Sequence, residues 1–153
     1  MQSIKGFNIR EAEEKDLISW LILFKEFFKE SKFDVKWSQE RIVTVFQSSL
    51  TNPNFVLFVS ENQEEIVGFI AGAVSNPLFS NDIIATELAW FVTKEYRGST
   101  TGFRLLKTFE DWAKEKNSVI ISMADIEGLN NLSSIYLKKG YTKSETTYNK
   151  RVL

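Results

Sequence analysis

The segment Tyr96-Arg97-Gly98-Ser99-Thr100-Thr101-Gly102 sets two glycines and three hydroxyl side chains between an apolar run, 83–92 (IIATELAWFV), and an amphipathic one, GFRLLKTFEDWAKEKN. The first backbone N–H groups of a helix lack intrahelical partners and lie at the positive end of its dipole, and glycine lets an anion approach them closely. Strand, loop and helix in that order make a candidate diphosphate cradle; the alternative is a tight turn that only connects two packed elements. Two familiar phosphate loops do not fit, because no Gly-Lys dipeptide follows and the loop contains no Gly-x-Gly. Neither a P-loop nucleotide hydrolase nor a nicotinamide dehydrogenase is supported. The second chemical feature is Glu87, a carboxylate inside the apolar run 83–92. That placement marks a candidate functional group, against the alternative of an edge carboxylate paired with a lysine.

Composition restricts what such groups can do. The 153 residues include no Cys and no His, which removes thiol nucleophiles, disulfides, imidazole proton shuttles and nearly every transition-metal site. Catalysis is left to carboxylates, hydroxyls, amines and the backbone, and no metal site is expected. Nineteen Lys and Arg against 20 Asp and Glu leave a net charge of -1, so no global basic field recruits nucleic acid. No basic helix or aromatic platform suggests nucleic-acid recognition either. No apolar run approaches 18 residues and the N-terminus does not resemble a secretory leader, so the expectation is a cytoplasmic protein with no membrane partner. The triplet Asn131-Leu132-Ser133 matches a glycosylation pattern and is read as accidental.

The length and the 43% hydrophobic content predict one domain, 1–153, with a sizeable core. Residues 7–11 read as a strand. Leu17, Trp20, Leu21, Phe24, Phe27 and Phe28 recur at helical spacing and predict a long amphipathic helix, followed by a second from a Ser38 cap to about Leu50. The runs 55–60 and 65–74 form a hairpin, in which Gly68 and Gly72 suggest a bulge or a close backbone approach. After the strand 83–92 comes a helix with Phe103, Leu106, Phe109, Trp112 and Ala113 on one face, then a buried strand at 119–124. A short helix at about 131–139 stops at Gly140, and 141–152 reads as a polar edge strand. The order β-α-α-β-β-β-α-β-α-β is an α/β fold, a mixed sheet with helices on its faces.

The run Glu87-Leu88-x-x-x-Val92-x-x-x-Tyr96-Arg97-Gly98-x-x-x-Gly102-x-x-Leu105-Leu106 resembles the acetyl-coenzyme A motif of the GCN5-related N-acetyltransferase (GNAT) family. The run from Asn130 to Tyr141 resembles that family's second motif, an Asn followed by Tyr-x-x-x-Gly-Phe/Tyr. The family's middle loop glycine falls on Thr100, whose Cβ would narrow the cradle and disfavour positive φ. Its motif asparagine falls on Leu129, leaving Asn130 and Asn131 as the nearest candidates.

The resemblance implies a GNAT-type sheet, acetyl-CoA as cosubstrate, and direct attack of a primary amine of a small molecule or protein on the acetyl thioester. Glu87 matches the family's base and Tyr136 its general acid; packing beneath the last helix is the other reading of Tyr136. Phe91 and Val92 match backbone partners of the pantetheine arm, with a strand N–H there meeting charge on the carbonyl oxygen. Arg97, Gly98, Ser99, Thr100, Thr101 and Gly102 match the diphosphate cradle, with Phe103 starting the helix. Asn130, Asn131 and Ser133 match polar partners of the arm or, equally, helix caps. Glu26, Glu30 and Asp34 could attract a cationic amine or simply form a solvated face. The amine acceptor is one expected partner, and a homodimer through 141–152 is another. Two rivals stay open: a catalytically degenerate acyl-CoA-binding or protein-interaction module of the same fold, and a nucleotide-binding protein outside the acetyltransferases.

Overall fold

The apolar runs at 55–60, 65–74 and 83–92 lack strict alternation because the strands they form are covered on both faces. In the computed structural model, which describes residues 6–126 and 131–153, these are β2 (Phe55–Asn62), β3 (Glu65–Ser75) and β4 (Ile83–Val92). With β1 (Asn8–Glu11) and β5 (Ser118–Ser122) they make one sheet in the order β1-β2-β3-β4-β5, antiparallel except for the parallel β4–β5 pair. Helices α1 (Leu17–Ser31) and α2 (Gln39–Ser49) cover one face, and α3 (Thr101–Glu115) covers the other. The short α4 (Ser133–Lys138) follows β5. No described helix is long and apolar enough to cross a membrane.

On the first face Trp20, Leu23, Phe27 and Phe46 pack against Leu57, Val59, Phe69, Ala71, Ala89 and Phe91. On the second, Val56, Phe58, Ile70 and Ala85 meet Leu105, Phe109, Trp112 and Ala113. Burying large apolar side chains this fully is what holds α3 on the sheet, and truncating Phe109 to alanine would cost about 3–5 kcal/mol. A Cβ at Gly72 would overlap the Phe109 ring, so the glycine there serves close helix–sheet approach. The register shifts at the same place: Ala71 pairs with Ala89 but Gly72 pairs with Glu87, leaving Leu88 as an extra residue on β4.

The local signals are largely realised. Ser38 Oγ accepts the Arg41 N–H at 3.3 Å as the cap of α2, and Gly140 has φ of 90° just past α4. Three expectations need correction. Residues 141–153 form no strand: apart from half-buried Tyr141 they are exposed, and the segment is tied by Arg151 to Asp34 at 3.1 Å. Its polar alternation gives neither face apolar surface to bury, so nothing recruits it into the sheet. The buried face of α3 carries Leu105 and not Phe103, which is 53% exposed. The strand expected at 119–124 is not a buried one: β5 ends at Ser122, and Val119 and Ile120 are exposed.

Candidate active site

The parallel pairing of β4 with β5 covers only Ile83 to Thr86, whereas β4 runs on to Val92. From Glu87 onward the edge of β4 that faced β5 has no strand partner among the described residues, and the two strands form a fork. Thr93 donates its N–H to Val67 of β3 at 2.9 Å, while the Val92 carbonyl turns the other way, to Arg97. Alternation along the strand then points the Val92 N–H and the polar backbone groups of Trp90 into the fork, and those of Phe91 toward β3. Of the two expected backbone partners, Val92 faces the cleft; the Phe91 side chain lies in the core beneath α1.

Two side chains converge at the base of this fork on one peptide. Glu87 Oε2 accepts the Ala124 N–H at 3.2 Å, and Tyr136 Oη donates to the Ala124 carbonyl at 2.8 Å. A peptide that would otherwise need a strand partner is thus satisfied by the expected base and the expected acid. Glu87 lies deep yet reachable from the cleft. Desolvation by burial pushes its carboxyl up to about 7, the Ala124 N–H opposing the shift in part. Burial, and next the negative charge of Glu87, raise the Tyr136 phenol above its ordinary value, so it is protonated at neutral pH. The Trp90 and Tyr136 rings stand 6.4 Å apart, and Tyr136 and Tyr141 are 5.5 Å apart.

At the mouth of the fork, the loop before α3 leaves the N–H groups of Gly98, Thr100, Gly102 and Phe103 without a partner among the described residues, and these are the donors an anion cradle requires. The Ser99 N–H is spent on the Tyr96 carbonyl, and the Thr101 N–H reaches Ser99 Oγ. Gly98 has φ of 84°, the left-handed region where glycine is favoured. Thr100 has φ of -75° and ψ of -11°, ordinary right-handed helical values, so the missing glycine there costs no backbone strain. Thr101 is fully buried and its hydroxyl hydrogen-bonds Ser60 of β2, which pins the start of α3 to the sheet. Beside Thr100 and the exposed Phe103 lies an open groove of about 510 Å³, edged by Arg104, Lys107 and Lys139.

Arg97 is engaged elsewhere than in the cradle. Its Nε donates to the Val92 carbonyl at 2.8 Å, its Nη2 meets Glu30 at 2.7 Å, and the guanidinium lies 5.2 Å over the Phe91 ring. It fastens the loop to β4 and α1. Two of the three acidic groups are correspondingly occupied, Glu30 of α1 by Arg97 and Lys94, and Asp34, just past α1, by Arg151, while Glu26 is exposed. In the second motif, Asn131 Oδ1 accepts the Ser133 hydroxyl at 2.7 Å, and Asp125 accepts the Ser133 N–H at 3.2 Å. Asn131 and Ser133 thus act together at the start of α4, and Asn130 lies outside the described residues. A separate cavity of about 190 Å³ between Leu50, Pro53 and Trp112 is remote from Glu87 and contributes nothing to the site.

Sequence reasoning missed Ala124, whose role is carried by its backbone and leaves no mark in residue type. It also missed Ser60 and Trp90, although a serine in the apolar run of β2 was a visible anomaly.

A forked mixed sheet with a glycine loop at the mouth of the fork and a carboxylate–phenol pair at its base defines a class of coenzyme-using α/β proteins. The chain belongs to the Acetyltransferase (GNAT) family, which it matches over residues 16–140. No curated protein matches the sequence. Among solved structures it is similar to a transcriptional regulator from Bacillus halodurans C-125, with 22% identity, a TM-score of 0.81, and coverage of 96% of this chain and 100% of that one. It is also similar to aminoglycoside N-acetyltransferase AAC(6')-Iy in complex with CoA, at 12% identity and a TM-score of 0.81 over 99% and 98% of the two chains. A predicted acetyltransferase with acetyl-CoA from Clostridium acetobutylicum gives 18% identity and a TM-score of 0.78 over 95% and 96%. Identities this low speak for the fold.

Proposed function

We propose that this protein is an N-acetyltransferase that uses acetyl-CoA to acetylate a primary amine by direct attack. The observation that carries this reading is the meeting of Glu87 and Tyr136 on the Ala124 peptide, at the base of a fork whose mouth is a loop of open N–H groups. The residues present fit the coenzyme. The N–H groups of Gly98, Thr100, Gly102 and Phe103 would hold its diphosphate, and Val92 would offer an N–H to the pantetheine arm. Acetyl-CoA, when bound, supplies an activated thioester.

The chain's own part is proton management. An amine arrives mostly as an ammonium, whose reference pKa is about 10.4. The desolvation that pushes Glu87 up to about 7 pulls an entering ammonium down, so the two approach each other and the carboxylate can take the proton. Once Glu87 is neutral, the charge that helped raise the Tyr136 phenol is gone, and the phenol becomes a better donor to the departing sulfur. Base and acid are coupled through their shared proximity to Ala124.

The test is calorimetric titration of acetyl-CoA into the wild type and a folded Gly102→Trp variant, followed by turnover on a panel of amines. Gly102 is chosen because a Cβ there already lies 3.7 Å from Val92 and 3.8 Å from Trp90, so an indole would fill the fork. Binding lost in the variant, with turnover lost in Glu87→Gln, supports the reading. The acceptors named for the aminoglycoside and glucosamine-6-phosphate N-acetyltransferases of the same fold place amino sugars on the panel. One observation favours a second reading, a catalytically degenerate module: the loop's arginine is committed to Glu30 and Val92. Coenzyme binding without turnover on any amine would select it.

A further inference from the structure

Three side chains in the fork region end in polar atoms that are buried and unpartnered among the described residues: Trp90 Nε1, Thr93 Oγ1 and Tyr141 Oη. Trp90 is the one that spans the route from the loop to the carboxylate–phenol pair. Its Cζ2, two bonds from Nε1, lies 3.8 Å from where a Cβ on Gly102 would stand, and its ring faces Tyr136 at 6.4 Å. A buried indole N–H with no acceptor is costly, and protein structures seldom leave one so. Trp20 Nε1 is also unpartnered, but its ring is walled in by Phe24, Phe46 and Phe69 in the core beneath α1. The Trp90 ring stands instead beside Gly102 of the loop and Tyr136 of the carboxylate–phenol pair.

From this we infer that the Trp90 indole N–H is a hydrogen-bond donor to the pantetheine arm of the coenzyme, positioning it between the loop and Tyr136. The inference rests on the coenzyme reading above. A chain reaching from a diphosphate at Gly98–Gly102 to a thioester beside Glu87 would pass the Trp90 ring, because that ring neighbours both Gly102 and Tyr136. Pantetheine carries amide carbonyls along this stretch, which are acceptors of the kind the indole lacks. The ring supplies a flat apolar wall for the methylene groups, and the N–H fixes their register.

Trp90→Phe keeps an aromatic ring and removes the donor. Calorimetry should show acetyl-CoA binding weakened about three- to tenfold, the value of one hydrogen bond, with binding of adenosine 3'-phosphate 5'-diphosphate, which lacks the arm, unchanged. Unaltered acetyl-CoA affinity in the variant overturns the inference, as does equal weakening of both ligands, which would assign the N–H to the diphosphate or to the packing. The unmodified protein gives an independent reading that survives a misfolded variant. Its four tryptophan indole 15N–H resonances can be followed by NMR. The Trp90 resonance, assigned by selective labelling and through-space contacts, should move downfield with acetyl-CoA and stay in place with the arm-less nucleotide. No movement with acetyl-CoA, or movement with both, contradicts the inference. If the wild type binds no acetyl-CoA at all, the coenzyme reading itself fails; wild-type binding with an indifferent Trp90 sinks only this inference.

Discussion

Two carboxylates in this fold, one buried and one half-buried, are solvated in opposite ways. Asp16, at the turn before α1, is shallow but covered, with 4% of its surface exposed. It receives a two-pronged contact from Arg10 at 2.7 and 2.9 Å and the Glu13 N–H at 2.8 Å. Burial alone would raise its pKa, but the arginine and the backbone donor outweigh that and hold it below the usual carboxylate range. Glu87 is half-buried, and the one hydrogen bond given to its carboxylate among the described residues comes from the Ala124 N–H. Desolvation wins there and the carboxyl rises to about 7. A buried charge that is fully matched anchors β1 to the start of α1; one that is left under-matched at an open fork is a proton acceptor in waiting.

Substitutions should separate the two. Glu87→Gln should lower kcat/KM by about a hundred- to a thousandfold while leaving acetyl-CoA affinity within about twofold, as steady-state kinetics and calorimetry would show. Asp16→Asn should do the reverse. It removes the closer of Arg10's two carboxylate partners, leaving Glu61 at 3.3 Å, and should cost about 3 kcal/mol of stability in urea unfolding with little effect on coenzyme binding, the low end of the range because Arg10 keeps that second partner and 18% side-chain exposure.

Stability against pH should also split them. Glu87 binds its proton more tightly folded than unfolded, so its contribution is most favourable below about 4.5 and becomes a penalty as pH rises through about 7. Discounted for the water that reaches it, that penalty is about 2 kcal/mol at pH 8.5, and Glu87→Gln should remove it. Asp16 has a lowered pKa, so its contribution is full above about 3.8 and fades as pH falls below that. Thermal melts of the two variants across pH should diverge in opposite directions. The smallest effect expected is that of Tyr136→Phe, about tenfold in kcat, because a water can replace a proton donor more readily than a base placed beside the attacking amine.

The sequence made Glu87 legible and left Asp16 unseen. A glutamate amid IIATELAWFV has no innocent periodicity, whereas Asp16 in EEKD reads as one more charge ahead of a helix. Its partner Arg10 lies across a turn, and their pairing is a product of tertiary packing. The central strands and long helices could be read directly because burial on both sheet faces imposes unbroken apolar runs. The segment 141–152 could not: its polar alternation resembles a strand, but it lacks an apolar face. Phe103 was misplaced because phasing a helix from its first residue ignores which neighbours the sheet offers, and Leu105 took the inward position. The convergence of Glu87 and Tyr136 was half visible; the two residues could be named, but the peptide that joins them carries only an alanine side chain.

Carbon-13 NMR of protein labelled at the Asp and Glu side-chain carboxyls, titrated from pH 3 to 9, reads both carboxylates at once without a substrate. The resonance lost in Glu87→Gln should titrate near 7 and the one lost in Asp16→Asn below the usual carboxylate range. A Glu87 resonance that titrates near the ordinary glutamate value of 4.5 would contradict the account, because it would mean that water and not the fold sets that carboxylate's basicity.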